Sequence, residues 1–367
     1  MKFLNKLFGK KEEQVIKEPE KLTISEFWNW FSGNQKRFLK AVKSQQNIQF
    51  EFITPVFNKL NQIKKGAFLL TGMMDDTNAE LIFTAEGNLL LFPYITELVD
   101  SAPKLENWQF TAFKPSMDSP DFEIIMGTKS FTTKNIFFYP EIDSDYPDEI
   151  SIKLIYSKEY QDNQTELIEN GLFIFTENYL GEIKTATQID RLSVVHNVSS
   201  EITLNPISKL NDYINWREKE FIEKYEGIFH NSDESNYSSF EWDKGDKVIV
   251  GIVNSDIIKW DKKASHPWIV VITIKFDKNE NNGMPNQEAL QTYYQFEDKL
   301  RELLPDKDGY IQVAQTTGLG KREIYYATKD FVKPIQIVEG MRTKVDFEYD
   351  IEVFKDKYWK SMDHFEH

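Results

Sequence analysis

The chain has 367 residues, 40% of them hydrophobic and 14% aromatic, with 59 acidic against 44 basic side chains and a net charge of −15. That length exceeds one ordinary core, and 28 Phe, 16 Tyr and 8 Trp supply buried area enough to argue for globular folding over disorder. The lack of cysteine removes disulfides, thiolate nucleophiles and zinc–thiolate sites and fits a reducing cytoplasm, while the acidic balance repels a phosphate backbone and speaks against nucleic acid as a partner.

Residues 1–22 read as a flexible charged tail, in which Phe3, Leu4, Leu7 and Phe8 alternate with Lys2, Lys6, Lys10 and Lys11. The apolar part is too short and interrupted for a signal peptide; a small interfacial helix is the competing reading. No apolar run approaches the roughly 18 residues of a membrane span. From Ile24 a helical pattern starts in "ISEFWNWFSGNQKRFLKAV", with Phe27, Trp30, Phe31 and Phe38 near one face and Thr23 or Ser25 as N-cap. A second helical stretch, "IQFEFITPVFNKLNQI", should restart or kink at Pro55. "GAFLLTGMM" and "AELIFTA" read as strands joined by the turn-like "DDTN", and "LLLFPYITELVDSAP" as a helix. "WQFTAF", "FEIIMG", "TKNIFFYP" and "EISIKLIY" follow as strands; "NGLFIFTENYLGEI" reads as one more, and "TATQIDRL" is ambiguous.

Near residue 200 the character changes. "PISKLNDYINWREKEFIEKYEGIF" carries a helical apolar stripe and reads as a connecting helix, followed by the polar linker "HNSDESNYSS". Beyond it, "KVIVGIVN" and the β-branched run "PWIVVITIKF" are strands. "NQEALQTYYQFEDKLRELL" is an amphipathic helix with Leu290, Tyr294, Leu300, Leu303 and Leu304 on its apolar side. "YIQVAQTT", "REIYYAT" and "KVDFEYDIEVF" complete the strands, and "DKYWKSM" closes the chain as a turn of helix. The expected fold is α+β in two domains, each an antiparallel sheet with helices on one face, the C-terminal one ferredoxin-like. The expected boundaries are a tail at 1–22, a domain at 23–200, a connecting helix and linker at 201–237, and a second domain at 238–367.

The C-terminal pieces, taken together, resemble the bacterial domain-of-unknown-function family 695. A strand ending at Asp277, the Gly283–Pro285 turn, Glu297–Asp298 on a helix, the Thr317–Tyr326 hairpin and Asp356–Trp359 stand in the order of that family's motifs. Two positions depart from the pattern: Lys321 intervenes between glycine and arginine, and Ala327 stands where an aromatic is looked for. The first 200 residues, including "YPDEISI" and "ENYLGEIKTATQID", resemble segments that accompany this domain in Bacteroidetes-type proteins. The resemblance implies an α+β fold and no assigned activity. Such domains also resemble the small α+β domain of the protein that inhibits ribonuclease E, which implies action by docking on another protein.

Chemistry-bearing patterns are few. In "TTGLGKREIYY", Gly318 and Gly320 are too close for a P-loop, and Glu323 stands where a dinucleotide fingerprint needs its third glycine. Strand signals on both sides make it a hairpin turn. Strand alternation sets Arg322, Ile324 and Tyr326 on one face, with Glu323 and Tyr325 on the other. A buried Arg322 needs a carboxylate, and Glu297 or Asp298 are the candidates, either as an ion pair fixing helix to sheet or as a site for an anionic partner. His196, His230, His266, His364 and His367 show no metal-ligand spacing, and "EIDSDYPDE" lacks the calcium-loop glycine and terminal glutamate. No metal, cofactor or catalytic residue is assigned. The function expected is a non-catalytic protein-binding or regulatory module of the cytoplasm. The alternative is an enzyme or small-ligand binder with a site near Arg322 and Glu297 at the domain interface. The candidate binding residues are Arg322, Glu323, Tyr325, Glu297 and Asp277.

Overall fold

A computed structural model of the chain describes residues 22–245, 247–278 and 281–366. The basic tail at 1–21 and His367 lie outside the described residues. The chain divides into two compact units, one made of residues up to 83 with 98–111, the other of 84–97 with 112–367.

The first unit is built on aromatic packing. Helix α1 (Ile24–Ser44) starts at a capping box, in which Thr23 Oγ1 accepts from Glu26 N–H and the Glu26 carboxylate accepts from Thr23 N–H at 2.8 Å. A short π-helical turn, Gln49–Ile53, then leads into α2 (Thr54–Ile63), where Pro55 occupies the first turn. Phe27, Phe31, Phe38 and Phe52 are fully buried, and Trp28 rather than Trp30 completes that face. Trp28 Nε1–H donates to the Leu98 carbonyl at 2.8 Å, so the ring is buried without an orphaned donor. Strands β1 (Phe68–Met73), β2 (Ala79–Thr84) and β3 (Trp108–Ala112) form one sheet in that order, and α3 (Phe92–Asp100) lies between the last two in sequence.

Among its described residues the second unit holds three sheets. Strands β4 (Glu123–Met126) and β5 (Lys129–Thr132) make a hairpin. Next come β6 (Ile136–Glu141), β7 (Ser151–Tyr156), α4 (Thr165–Leu180), α5 (Glu182–Gln188), β8 (Arg191–Val194), β9 (Asn205–Pro206) and α6 (Leu210–Tyr225). These strands form a sheet of order β8-β7-β6-β9, with β7 and β8 parallel. The segment read as a strand at "LFIFTENYL" is helical: Ile168, Leu172, Phe175 and Tyr179 recur at helical spacing and bury a continuous stripe, which overrides the local β propensity.

The C-terminal sheet comprises β10 (Tyr237–Lys244), β11 (Lys247–Asn254), β12 (Trp268–Lys275), β13 (Tyr310–Gly318), β14 (Lys321–Thr328) and β15 (Tyr349–Lys355), in the order β10-β11-β13-β14-β12-β15. With α7 (Gln287–Leu303) after β12 and α8 (Val332–Met341) after β14, the last four strands run β12-α7-β13-β14-α8-β15. This is the ferredoxin-like βαββαβ order, extended at β13 by the β10–β11 hairpin. Both helices cover one face: Arg322 on β14 pairs with Glu297 on α7, and the Tyr349 hydroxyl on β15 donates to the Val338 carbonyl of α8 at 2.6 Å. The opposite face buries Ile269, Val271 and Ala327 beneath Trp359, Met362 and Phe365 of the C-terminal turn. Strand β10 signals itself only through Phe240 and Trp242, and Pro334 and Gly340 mask helix α8.

A charge network ties the end of β15 to residues 148–190. Lys357, 1% exposed, donates to the Asp148 carbonyl at 2.6 Å and the Asp190 carboxylate at 2.8 Å. Lys355 reaches the other Asp190 oxygen at 3.2 Å. The Tyr358 hydroxyl donates to the Asp148 carboxylate at 2.9 Å.

Candidate functional site

The hairpin between β13 and β14 turns on Leu319 and Gly320, whose φ values of 57° and 80° give the type I′ pattern that matches strand twist. Gly320 is also held close: its N–H donates to the Gly283 carbonyl at 3.1 Å, and its carbonyl accepts from Phe276 N–H at 2.9 Å. The Gly320 amide is thus committed to neighbouring backbone.

Arg322 enters the helix-side face one residue after the turn. Its Nε and Nη2 donate to the two Glu297 oxygens at 2.5 and 3.0 Å, and Nη1 donates to Thr317 Oγ1 at 2.5 Å. The guanidinium carbon lies 5.2 Å from the centre of the Tyr294 ring. Arg322 is 4% and Glu297 1% exposed, so this is a buried bidentate pair with its donors satisfied on three sides. Asp298 instead pairs with Arg301 on the helix surface at 2.5 Å.

The other expected residues lie elsewhere. Glu323 and Tyr325 face the opposite side of the sheet, where Glu323 takes Lys321 Nζ at 2.7 Å and Tyr325 packs 5.1 Å from the Phe365 ring. Burial, with Glu323 beside it, pushes the Tyr325 hydroxyl pKa up. Asp277 is exposed beyond the end of β12. Of the five, the structure brings together Arg322 with Glu297 and, separately, Glu323 with Tyr325.

What surrounds Arg322 is an open cleft. Helix α7 lies over β14, while the β10–β11 hairpin extends the sheet past it. Register places Glu241, Val250, Thr317 and Arg322 in one row across the helix-side face, and Ser239, Ile252 and Gln315 in the next. The cleft beside Arg322 has a volume of about 450 Å³ and is walled by residues of β10, β11, β13 and β14 together with Tyr294 of α7. A second hollow of about 460 Å³, sharing Ile252 and Gln315 with it, runs on toward Leu304, Tyr310 and Tyr326. Four apolar or aromatic side chains of this face stay exposed: Tyr237 at 55%, Ile252 at 42%, Tyr294 at 40% and Val250 at 37%. At the inner end the Tyr326 hydroxyl is buried with no hydrogen-bond partner, and burial pushes its pKa up. Beside it the pairing register slips between Gln312 and Ala314, a bulge that leaves Val313 unpaired. Strand β10 is the outermost strand on this side, and no strand pairs with its outer edge among the described residues.

The alternation in "KVIVGIVN" held a signal for this surface, since Val250 and Ile252 lie on the face opposite buried Val253. The β10 half was legible only through Phe240 and Trp242, two residues apart on the other face. Among the described residues no group of three or more His, Asp or Glu side chains could hold a metal ion. No helix among them is long and apolar enough to cross a membrane. No curated protein and no solved structure matches the chain. Residues 236–365, the stretch that holds the sheet with the cleft, match a family described as a family of unknown function (DUF695).

Proposed function

We propose that the chain is a non-catalytic binding module whose C-terminal domain takes an extended segment of a partner protein along β10 and the adjoining cleft. The observation that carries this reading is the helix-side sheet face left uncovered at β10 and β11. There Tyr237, Val250, Ile252 and Tyr294 are exposed next to an edge strand of eight residues. A long unpaired edge offers main-chain hydrogen bonds to an incoming strand, and alternate side chains of that strand would enter the cleft. Arg322 contributes by fixing α7 to β14, because its charge is already matched by Glu297.

The test compares the full chain with Ile252→Glu as baits in native-host extract at moderate salt. Ile252 is exposed, so the variant should keep its stability to within about 0.5 kcal/mol. A partner held by the parent and lost by the variant, and protected from exchange along β10 in the purified complex, supports the reading. A partner held equally by both, or no retained protein, removes it. A second reading, a small polar ligand in the same cleft, rests on the unpartnered Tyr326 hydroxyl. It predicts that metabolites raise the melting temperature of the parent and not of Tyr326→Phe.

A further inference from the structure

We propose that a separate cavity of the second unit binds a small amphiphilic carboxylate, an apolar or aromatic body ending in one anionic group. The cavity has a volume of about 600 Å³, within the range that holds a small organic molecule. Phe113, Phe221, Trp268 and Phe331 wall it, and its mouth carries Ile183 and Ile222, which are 51% and 56% exposed. The aromatic wall is already organised: Phe331 packs 4.6 Å from Trp268 and 5.7 Å from Phe92, which in turn packs 4.5 Å from Phe113. An apolar pocket of fixed shape with exposed aliphatic residues at its opening is the surface expected of a ligand site.

The charges at the cavity select the head group. Five charged side chains line it: Glu218, Glu226, Asp330, Lys329 and Lys355. Asp330 accepts from the Tyr310 hydroxyl at 2.5 Å and from Lys333 N–H at 3.0 Å, and Glu226 is exposed to solvent. Lys355 is matched by Asp190 at 3.2 Å and by the Thr187 carbonyl at 2.7 Å; Glu218, whose buried Oε2 has no hydrogen-bond partner, also favours the Lys355 charge and has that cation beside it. Lys329 is different. Its ammonium lies 3.3 Å from the centre of the Phe229 ring, and no carboxylate lies within ion-pair distance of it among the described residues. Burial lowers its pKa with no anion opposing the shift, and the neighbouring His266 is fully buried and held neutral. The cavity therefore joins an apolar wall to a partly desolvated cation with no counter-ion, and a carboxylate attached to an apolar body matches both.

Octanoate, octanol and octylamine, alike in their apolar body, serve as probes in calorimetric titrations of the full chain at neutral pH. Octanoate should bind one to one and about tenfold or more tighter than octanol, and octylamine more weakly than either. Lys329→Met, which keeps the aliphatic stem, should bring octanoate down to the affinity of octanol and leave octanol unchanged. Ile222→Glu, an exposed position at the mouth, should weaken octanoate and octanol alike, so the cavity remains tested if Lys329→Met fails to fold. Equal affinities for octanoate and octanol overturn the proposal, as does octanoate binding indifferent to Lys329→Met in a folded variant. No binding of any probe at millimolar concentration overturns it as well.

Discussion

Replacing Glu297 with Ala strips the Arg322 guanidinium of both carboxylate oxygens and leaves Thr317 Oγ1 and the Tyr294 ring as its remaining partners. Both charged residues are almost wholly buried, so the surviving guanidinium would be largely shielded from water. Breaking a buried pair from one side costs about 3–5 kcal/mol, chiefly because the surviving charge is uncompensated. At about 2–4 °C per kcal/mol for a unit of this size, Glu297→Ala should melt about 6–20 °C below the parent. Arg322→Met combined with Glu297→Leu removes charge and partner together and should recover most of that loss. Urea denaturation followed by circular dichroism and tryptophan fluorescence measures both variants, with thermal melting as a second readout. A loss below about 1 kcal/mol for Glu297→Ala is the behaviour of a solvent-screened pair and would refute the argument. A double variant no more stable than the single one would refute it too.

Gly320→Ala should cost more than about 1 kcal/mol, because a Cβ at φ 80° would sit 2.9 Å from both Lys278 Cα and the Phe276 oxygen; an unchanged denaturation midpoint contradicts this. Burial pushes the His266 pKa down to about 3, whereas the unfolded chain titrates near its ordinary value of about 6.5. Between those values the unfolded state binds the extra proton, so stability falls as pH drops, by about 1.4 kcal/mol per pH unit below pH 6. His266→Gln should flatten this part of the stability–pH profile, and parallel profiles for parent and variant count against it.

The ferredoxin-like core was legible because its signals agree across levels. The β-branched run of β12, the amphipathic stripe of α7 and the glycine-marked turn at Leu319–Gly320 each point to one arrangement. The partner of Arg322 was legible as well, since strand alternation turns it toward α7 and Glu297. Helix α4 was misread because "LFIFTENYL" is locally rich in residues that favour strands, although its burial spacing is helical. Of the two N-cap candidates, Thr23 is the one with a glutamate three residues on, and it forms the capping box with Glu26. The cleft and the cavity were not legible. Each is made by what a neighbouring element fails to cover, and the unpartnered Tyr326 hydroxyl and the stacking of Lys329 on Phe229 arise only from packing distant in sequence.

The Lys357 network has a bearing on how the chain can be divided. Lys355, Lys357 and Tyr358 lie inside the stretch that matches the family, yet the groups that satisfy them, Asp148 and Asp190, lie well before its first residue. A fragment cut at residue 236 would keep its βαββαβ connectivity and lose the anions that neutralise one end of its last strand. The portion upstream would keep Lys224 and Tyr225 on the Asp148 carboxylate and lose both lysines from Asp190. Sequence family and cooperative folding unit therefore have different borders here, and the second unit is expected to unfold in a single transition that both sides of residue 236 report together.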